Sequence, residues 1–136
     1  MVGIVLVSHS QTLARGVAEL ISEIGLTAVR AVPAGGTADE RLGTSHEKIA
    51  AALTAADSGD GVVILADLGS AVLTSRLVVE DLAAEDLVAD DRAVPVRIAD
   101  APFVEGAVAA AGAAVTGADL DATVAAAEEA RTLRKL

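Results

Sequence analysis

An α/β fold is what this sequence predicts: a small doubly wound, mainly parallel four-stranded sheet with helices on both faces. Three observations carry that expectation. Two short runs, VGIVLV at residues 2–7 and VVILA at 62–66, are apolar without alternation, the pattern of strands covered on both faces. Each gives way within a few residues to apolar positions at helical spacing. Finally, Phe103 is the sole aromatic in a chain that is 53 % hydrophobic. The core must therefore be built from Val, Leu, Ile and Ala, which suits close layering of helix on sheet.

The elements follow in order. After residues 2–7, the positions Leu13, Val17, Leu20, Ile21 and Ile24 recur as one helix, with Ser10 placed to cap it and Gly25 to stop it. A second strand is predicted over 27–32, closed by Pro33, and the Gly- and Pro-containing segment from Pro33 through Gly43 reads as a loop. Thr44-Ser45-His46-Glu47 reads as a capping box with Thr44 as the cap. It opens a short helix with Ile49, Ala52 and Leu53 on one face, and DSGDG at 57–61 is a turn. Strand 62–66 is followed by Asp67-Leu68-Gly69-Ser70, which turns into a helix running to about Leu82. A fourth strand is expected over 93–98, where Pro95 marks an edge position. Asp100-Ala101-Pro102 starts a helix from Phe103 to about Ala114. A last helix follows Gly117, with Leu120, Val124, Ala127 and Leu133 inward and a basic end at Arg131, Arg134 and Lys135 that suits its dipole. Strands alternating with helices imply parallel neighbours joined by crossovers. The 136 residues read as one domain, 1–136, with strand order 2-1-3-4.

Composition removes several function classes. With 20 acidic and 10 basic residues the net charge is −10, and no basic stripe exists to neutralise a nucleic-acid backbone. Cysteine is absent, which excludes disulfides, zinc thiolates and cysteine nucleophiles. No stretch reaches the roughly 20 apolar residues of a membrane span, and the first apolar run has no basic region before it. The expectation is a soluble cytoplasmic protein whose acidity suits a basic partner.

In an open parallel sheet, ligands bind beyond the carboxyl ends of the strands where the strand order reverses. Two polar segments fall at such ends, Ser8-His9-Ser10 and Asp67-Leu68-Gly69-Ser70. In the order 2-1-3-4 their strands are neighbours, so His9 and Asp67 face one crevice. A carboxylate on one ring nitrogen sets the tautomer and leaves the other nitrogen a lone pair. Two helix N-termini beside it supply amides at Ser10–Thr12 and Gly69–Ala71 for an anion. This combination suits nucleophilic attack by imidazole on a phosphoryl group. Other readings are weaker. His9 and Asp67 taken singly are ordinary strand-end and capping residues, and His46 is an exposed first-turn residue. Two distant histidines make no metal site. Ser8, Ser10 and Ser70 beside the pair suggest a hydrolase triad, yet the Gly-x-Ser-x-Gly elbow is missing. Gly35-Gly36 is a flexible turn and no P-loop, although it lies at the same sheet edge as His9.

The segments MVGIVLVSHSQTLARGVAEL, AGGTADERLGTSHEKIAAAL and DGVVILADLGSAVLTSRLVVEDL resemble the phosphotransfer subunits, DhaM, of bacterial phosphoenolpyruvate-dependent dihydroxyacetone kinases. These are mannose-type enzyme IIA domains of the sugar phosphotransferase system. The resemblance is carried by the first 82 residues. It implies that His9 is phosphorylated by the carrier HPr, itself charged by enzyme I, with Asp67 orienting the ring. It also implies phosphate contacts from Ser10, Gly69 and Ser70, and a partner rim including Gly36 and Thr44. The phosphoryl group would pass to ADP held by DhaL, and the ATP formed would serve dihydroxyacetone bound on DhaK. A homodimer, and no cofactor or metal of its own, follow from the same likeness. Some relatives fuse HPr-like and enzyme I-like domains behind this one; here those are expected as separate proteins. Sugar-transporting relatives carry D-L-x-G-G-S after the aspartate, where this chain has Asp67-Leu68-Gly69-Ser70-Ala71. Thr74-Ser75 stands where relatives tend to place Asn and a small residue. The rival from another class is a non-catalytic regulatory module that binds a ligand or partner in the same crevice.

Overall fold

A computed structural model describes residues 1–89 and 94–136 of the protein. Four strands, β1 (Gly3–Ser8), β2 (Ala31–Gly35), β3 (Val62–Ala66) and β4 (Val96–Ile98), form one sheet in the order β2-β1-β3-β4. Every pairing is parallel. Among the described residues, five α-helices connect and cover them: α1 (Gln11–Glu23), α2 (His46–Ala56), α3 (Gly69–Ala89), α4 (Phe103–Val115) and α5 (Leu120–Glu129). The expected topology is the observed one.

The sheet divides the core by its pleat. Ile4, Leu6, Val63 and Leu65 pack with α1, α4 and α5, among them Val17, Ile21, Ala107, Ala110 and Val124. Val5, Val7, Val62 and Ile64 face α2 and α3 through Ile49, Leu53, Ala71 and Val78. The alanines of α4 and α5 let these helices lie close to each other and to the sheet, and Ala107, Ala111 and Ala127 are fully buried. α1 ends where expected. Gly25 has φ +93°, its amide donates to Ser22 and the Leu26 amide to Ile21, the two bonds of a Schellman closure.

Five local expectations are corrected. β2 begins at Ala31 rather than 27, because 27–29 form a turn, and it runs through Pro33 to Gly35. Arg30 and Gly36 bond to β1, so backbone groups of even-numbered residues face β1 and Pro33 turns its missing donor outward on an edge strand. The cap of α2 is Ser45, whose hydroxyl accepts the Lys48 amide at 3.2 Å; Thr44 is released for another contact. α3 continues past Leu82 to Ala89, through helix-favouring Ala83, Ala84 and Glu85. β4 starts only at Val96; Pro95 precedes it and contributes its carbonyl to the Val62 amide, while Ala93 lies outside the described residues. Leu133 is exposed. The basic end does meet α5 at Arg131, whose Nε donates to the Glu128 carbonyl at 3.0 Å while its guanidinium also pairs with Asp100 at 2.7 Å; Lys135 pairs with Glu105 at 2.8 Å. Among the described residues, no helix is long and apolar enough to cross a membrane.

Candidate active site

β1 and β3 are adjacent and in register, with Val7 opposite Ala66. The chain therefore leaves the sheet at Ser8-His9 and at Asp67 side by side, between the strand whose chain runs on to β2 and the strand on its other flank, the switch point of the sheet. His9 Nδ1 lies 2.9 Å from Asp67 Oδ1. The same oxygen accepts the Leu68 amide at 2.7 Å. The other, Oδ2, accepts the His9 amide and the Ser8 hydroxyl, each at 2.9 Å. Four donors thus occupy the four acceptor positions of one carboxylate. Only the ionised acid takes all four, and only a ring protonated at Nδ1, in its neutral form the Nδ1–H tautomer, supplies the fourth.

Burial is the largest influence on the Asp67 carboxyl and pushes its pKa up. The bonds from the His9 amide, the His9 ring, Ser8 and Leu68 together outweigh it, leaving the pKa below its ordinary value. The His9 side chain is 25 % exposed and that of Asp67 11 %, so the pair lies in an open crevice with the carboxylate on the inner side. With Nδ1 protonated, Nε2 holds the lone pair. It points at Ser70 Oγ, 2.6 Å away in the first turn of α3, and the Ser70 hydroxyl is the donor.

The amides expected around the histidine are partly spent within the chain. Ser10 N–H donates to Ser8 Oγ at 3.0 Å, and the Ala71 amide to the Leu68 carbonyl. Those of Gln11, Thr12, Gly69 and Ser70 have no intrachain acceptor among the described residues, as the first turns of α1 and α3 require. The Ser10 hydroxyl caps α1 by accepting the Leu13 amide at 3.2 Å, leaving its own hydrogen free.

The glycine loop closes over the site from the β2 side. The Gly36 amide bonds the Ser8 carbonyl at 3.1 Å, and the Gly43 amide bonds the His9 carbonyl at 2.9 Å. Gly36 has φ +73°. At Gly35 a Cβ would stand 2.5 Å from the Ser10 carbonyl oxygen, so only glycine lets β2 pass under the start of α1. Gly36 is buried, and the exposed part of the loop is residues 38–42. Thr44 reaches across to α3: its hydroxyl lies 2.9 Å from Thr74 Oγ1, which bonds the Ser70 carbonyl. Thr74, the departure noted in the sequence, is therefore part of the link between the loop and the turn bearing Ser70. His46 lies away from this cluster on α2, 2.8 Å from Asp81 of α3. Among the described residues, no three His, Cys, Asp or Glu side chains come together as a metal site.

The family model EIIA-man, described as the PTS system fructose IIA component, matches residues 3–125. The chain belongs to this family. A relative from Listeria innocua, named PEP-dependent dihydroxyacetone kinase 2, phosphoryl donor subunit DhaM, is 37 % identical over 82 % of this chain and 84 % of its own length. An Escherichia coli relative, the phosphoryl donor subunit DhaM of PEP-dependent dihydroxyacetone kinase, is 35 % identical over 91 % of this chain, which spans only 26 % of that longer protein. A crystal structure titled as the unknown-function protein EF1359 matches with a TM-score of 0.83 at 34 % identity, covering 99 % of this chain and 98 % of that one.

Gly43 is a site residue that the sequence does not single out, and Ser8 enters there only through the weak triad reading. Ser8 had a visible signal: it is the one polar residue closing an otherwise apolar strand. Gly43 has none and Thr74 only its departure from the relatives' Asn, because their contacts join segments 34 and 30 residues apart.

Proposed function

We propose that this EIIA-man domain is a phosphoryl carrier working through His9. Phospho-HPr presents its phosphoryl group to Nε2, the N–P bond forms as the donor imidazole leaves, and Asp67 stabilises the ring through Nδ1. As the group arrives, the Ser70 hydroxyl turns from Nε2 to a phosphoryl oxygen, and the Gly69 and Ser70 amides face the same anion at the start of α3. Ser10 lies on the α1 side of the crevice with a free hydroxyl hydrogen. The phosphoryl group then passes to ADP on a DhaL subunit, for phosphorylation of dihydroxyacetone on DhaK. The names of the relatives support this destination, while the loop edge near Gly36 and Thr44 frames the mouth that a partner enters. A cytoplasmic homodimer folded as one domain over 1–136 completes the reading.

The observation that carries it is the carboxylate on Nδ1 with Nε2 directed outward at a partly exposed ring. The test is incubation with phosphoenolpyruvate, enzyme I and HPr, followed by intact mass measurement. One acid-labile phosphate is expected, and its release to ADP when DhaL is added. Absence of labelling overturns the proposal; labelling without release to DhaL redirects it to the sugar branch of the family.

A second reading has one observation in its favour: Ser70, His9 and Asp67 are connected as a nucleophilic serine triad. Covalent capture of Ser70 by a fluorophosphonate would establish it, and an unlabelled serine removes it.

A further inference from the structure

We propose that Ser8 is a positioning residue: its buried hydroxyl fixes the rotation of the Asp67 carboxylate and, through it, the tautomer of His9. The inference deepens the phosphoryl-carrier reading and rests on it for one of its two assays.

Ser8 ends β1 and is fully buried. Its oxygen accepts the Ser10 amide at 3.0 Å. That amide is an obligate donor, so the single hydroxyl hydrogen of Ser8 is committed to Asp67 Oδ2 at 2.9 Å. Of the four donors on Asp67, two are the backbone amides of His9 and Leu68, and one is the imidazole being oriented. Among the described residues, Ser8 provides the only donor from a side chain outside the His9–Asp67 pair.

A carboxylate turns easily about its last bond, because such torsions have broad minima. Its direction must be set by pins on both oxygens. Leu68 holds Oδ1, while the His9 amide and Ser8 hold Oδ2. Removing Ser8 leaves Oδ2 with the His9 amide alone and loosens the plane, so that Oδ1 aims less squarely at Nδ1. The preference for a proton on Nδ1 then weakens, and with it the availability of the Nε2 lone pair. The Ser10 amide also joins this unit to the cap of α1, so the strand end, the carboxylate and the start of a helix move as one piece. A buried serine that merely satisfied the Ser10 amide would affect stability and leave the imidazole unchanged.

The experiment compares wild type, Ser8→Ala and Ser8→Thr, each confirmed folded by circular dichroism. The first readout is 15N NMR of labelled histidine at mildly alkaline pH, where imidazole is neutral. The second is the rate of phosphoryl acceptance from phospho-HPr. Wild type is expected to show the Nδ1–H tautomer alone. Ser8→Ala should show a mixture with the Nε2–H form and a rate lower by about tenfold, the scale of one lost hydrogen bond to a charged group. Ser8→Thr, which keeps a hydroxyl at the same place, should restore both. Wild-type tautomer and rate in folded Ser8→Ala overturn the proposal, whatever its melting temperature. Should the extra methyl of Ser8→Thr prevent folding, the alanine variant alone decides. If wild type takes up no phosphate, the carrier reading falls, and the tautomer shift in Ser8→Ala still decides the role of Ser8.

Discussion

Replacing Asp67 by asparagine keeps the shape of the side chain and removes its charge and one of its two oxygens. The four donors at 2.7–2.9 Å then meet one carbonyl oxygen and one NH2 group. Two placements of the amide are open, and both fail. With the oxygen toward His9 Nδ1 and Leu68, the NH2 faces the His9 amide, a partly buried donor left without an acceptor. Such a group costs about 1–3 kcal/mol, and losing the charge weakens the remaining bonds further. With the oxygen turned the other way, the NH2 meets the ring. Imidazole must then accept at Nδ1 and carry its proton on Nε2, which removes the attacking lone pair. Taking about 3 kcal/mol as the penalty for holding the productive tautomer, phosphoryl acceptance should fall roughly 100-fold. The assay is the initial rate of phosphate uptake from phospho-HPr by intact mass, with the His9 tautomer read by 15N NMR on the same sample. Uptake at the wild-type rate, or an unchanged Nδ1–H tautomer together with an unchanged melting temperature, would refute the assignment of Asp67 as the orienting group.

Four further outcomes are expected. His9→Ala should take up no phosphate while remaining folded, with a melting-curve loss of about 1–2 kcal/mol from the bond given up to Asp67; residual labelling would place the acceptor elsewhere. Ser70→Ala should still be phosphorylated, but with the phosphohistidine hydrolysing about tenfold faster for the loss of one hydrogen bond to a charged group, and equal lifetimes would detach Ser70 from the phosphoryl group. Gly35→Ala places a methyl 2.5 Å from the Ser10 carbonyl oxygen and 2.6 Å from Gln11 Cα; since both are backbone, a loss of about 1–3 kcal/mol is expected in chemical denaturation. The folded Asp67 carboxyl lies below its ordinary value of 3.8. Its contribution to stability is therefore fully present above that value and is lost as the pH falls through the depressed one. Melting temperatures of wild type and Asp67→Asn should converge below about pH 4, and a gap that widens on acidification would contradict the depressed pKa.

The strand order and the principal pair were legible because each rests on a local signal. Unbroken β-branched runs mark strands buried on both faces, and a histidine and an aspartate ending two such runs mark the crevice of a parallel sheet. Errors arose where local propensity competes with tertiary contact. Thr44 and Ser45 are both capping types, Ser the somewhat better one; the cap is Ser45, and Thr44 meets Thr74 on α3 instead. Pro33 signals a strand end, yet at the outer edge of the sheet its missing donor costs nothing, so β2 runs on to Gly35. The cations after α5 read as dipole partners, and Arg131 does donate to the Glu128 carbonyl, yet the distant acids Asp100 and Glu105 claim Arg131 and Lys135 as well.

By itself the sequence determined the fold class, the parallel order of strands and the presence of an imidazole and a carboxylate at one sheet edge. Periodicity and strand-end chemistry are properties of short segments, and they survive without knowledge of neighbours. Only the tertiary structure decided how that carboxylate is saturated: which oxygen takes the ring, that Ser8 holds the other, and that Ser70 occupies the outer nitrogen. Those are directional bonds between segments some 60 residues apart, and their angles are set by the packing of helices on the sheet.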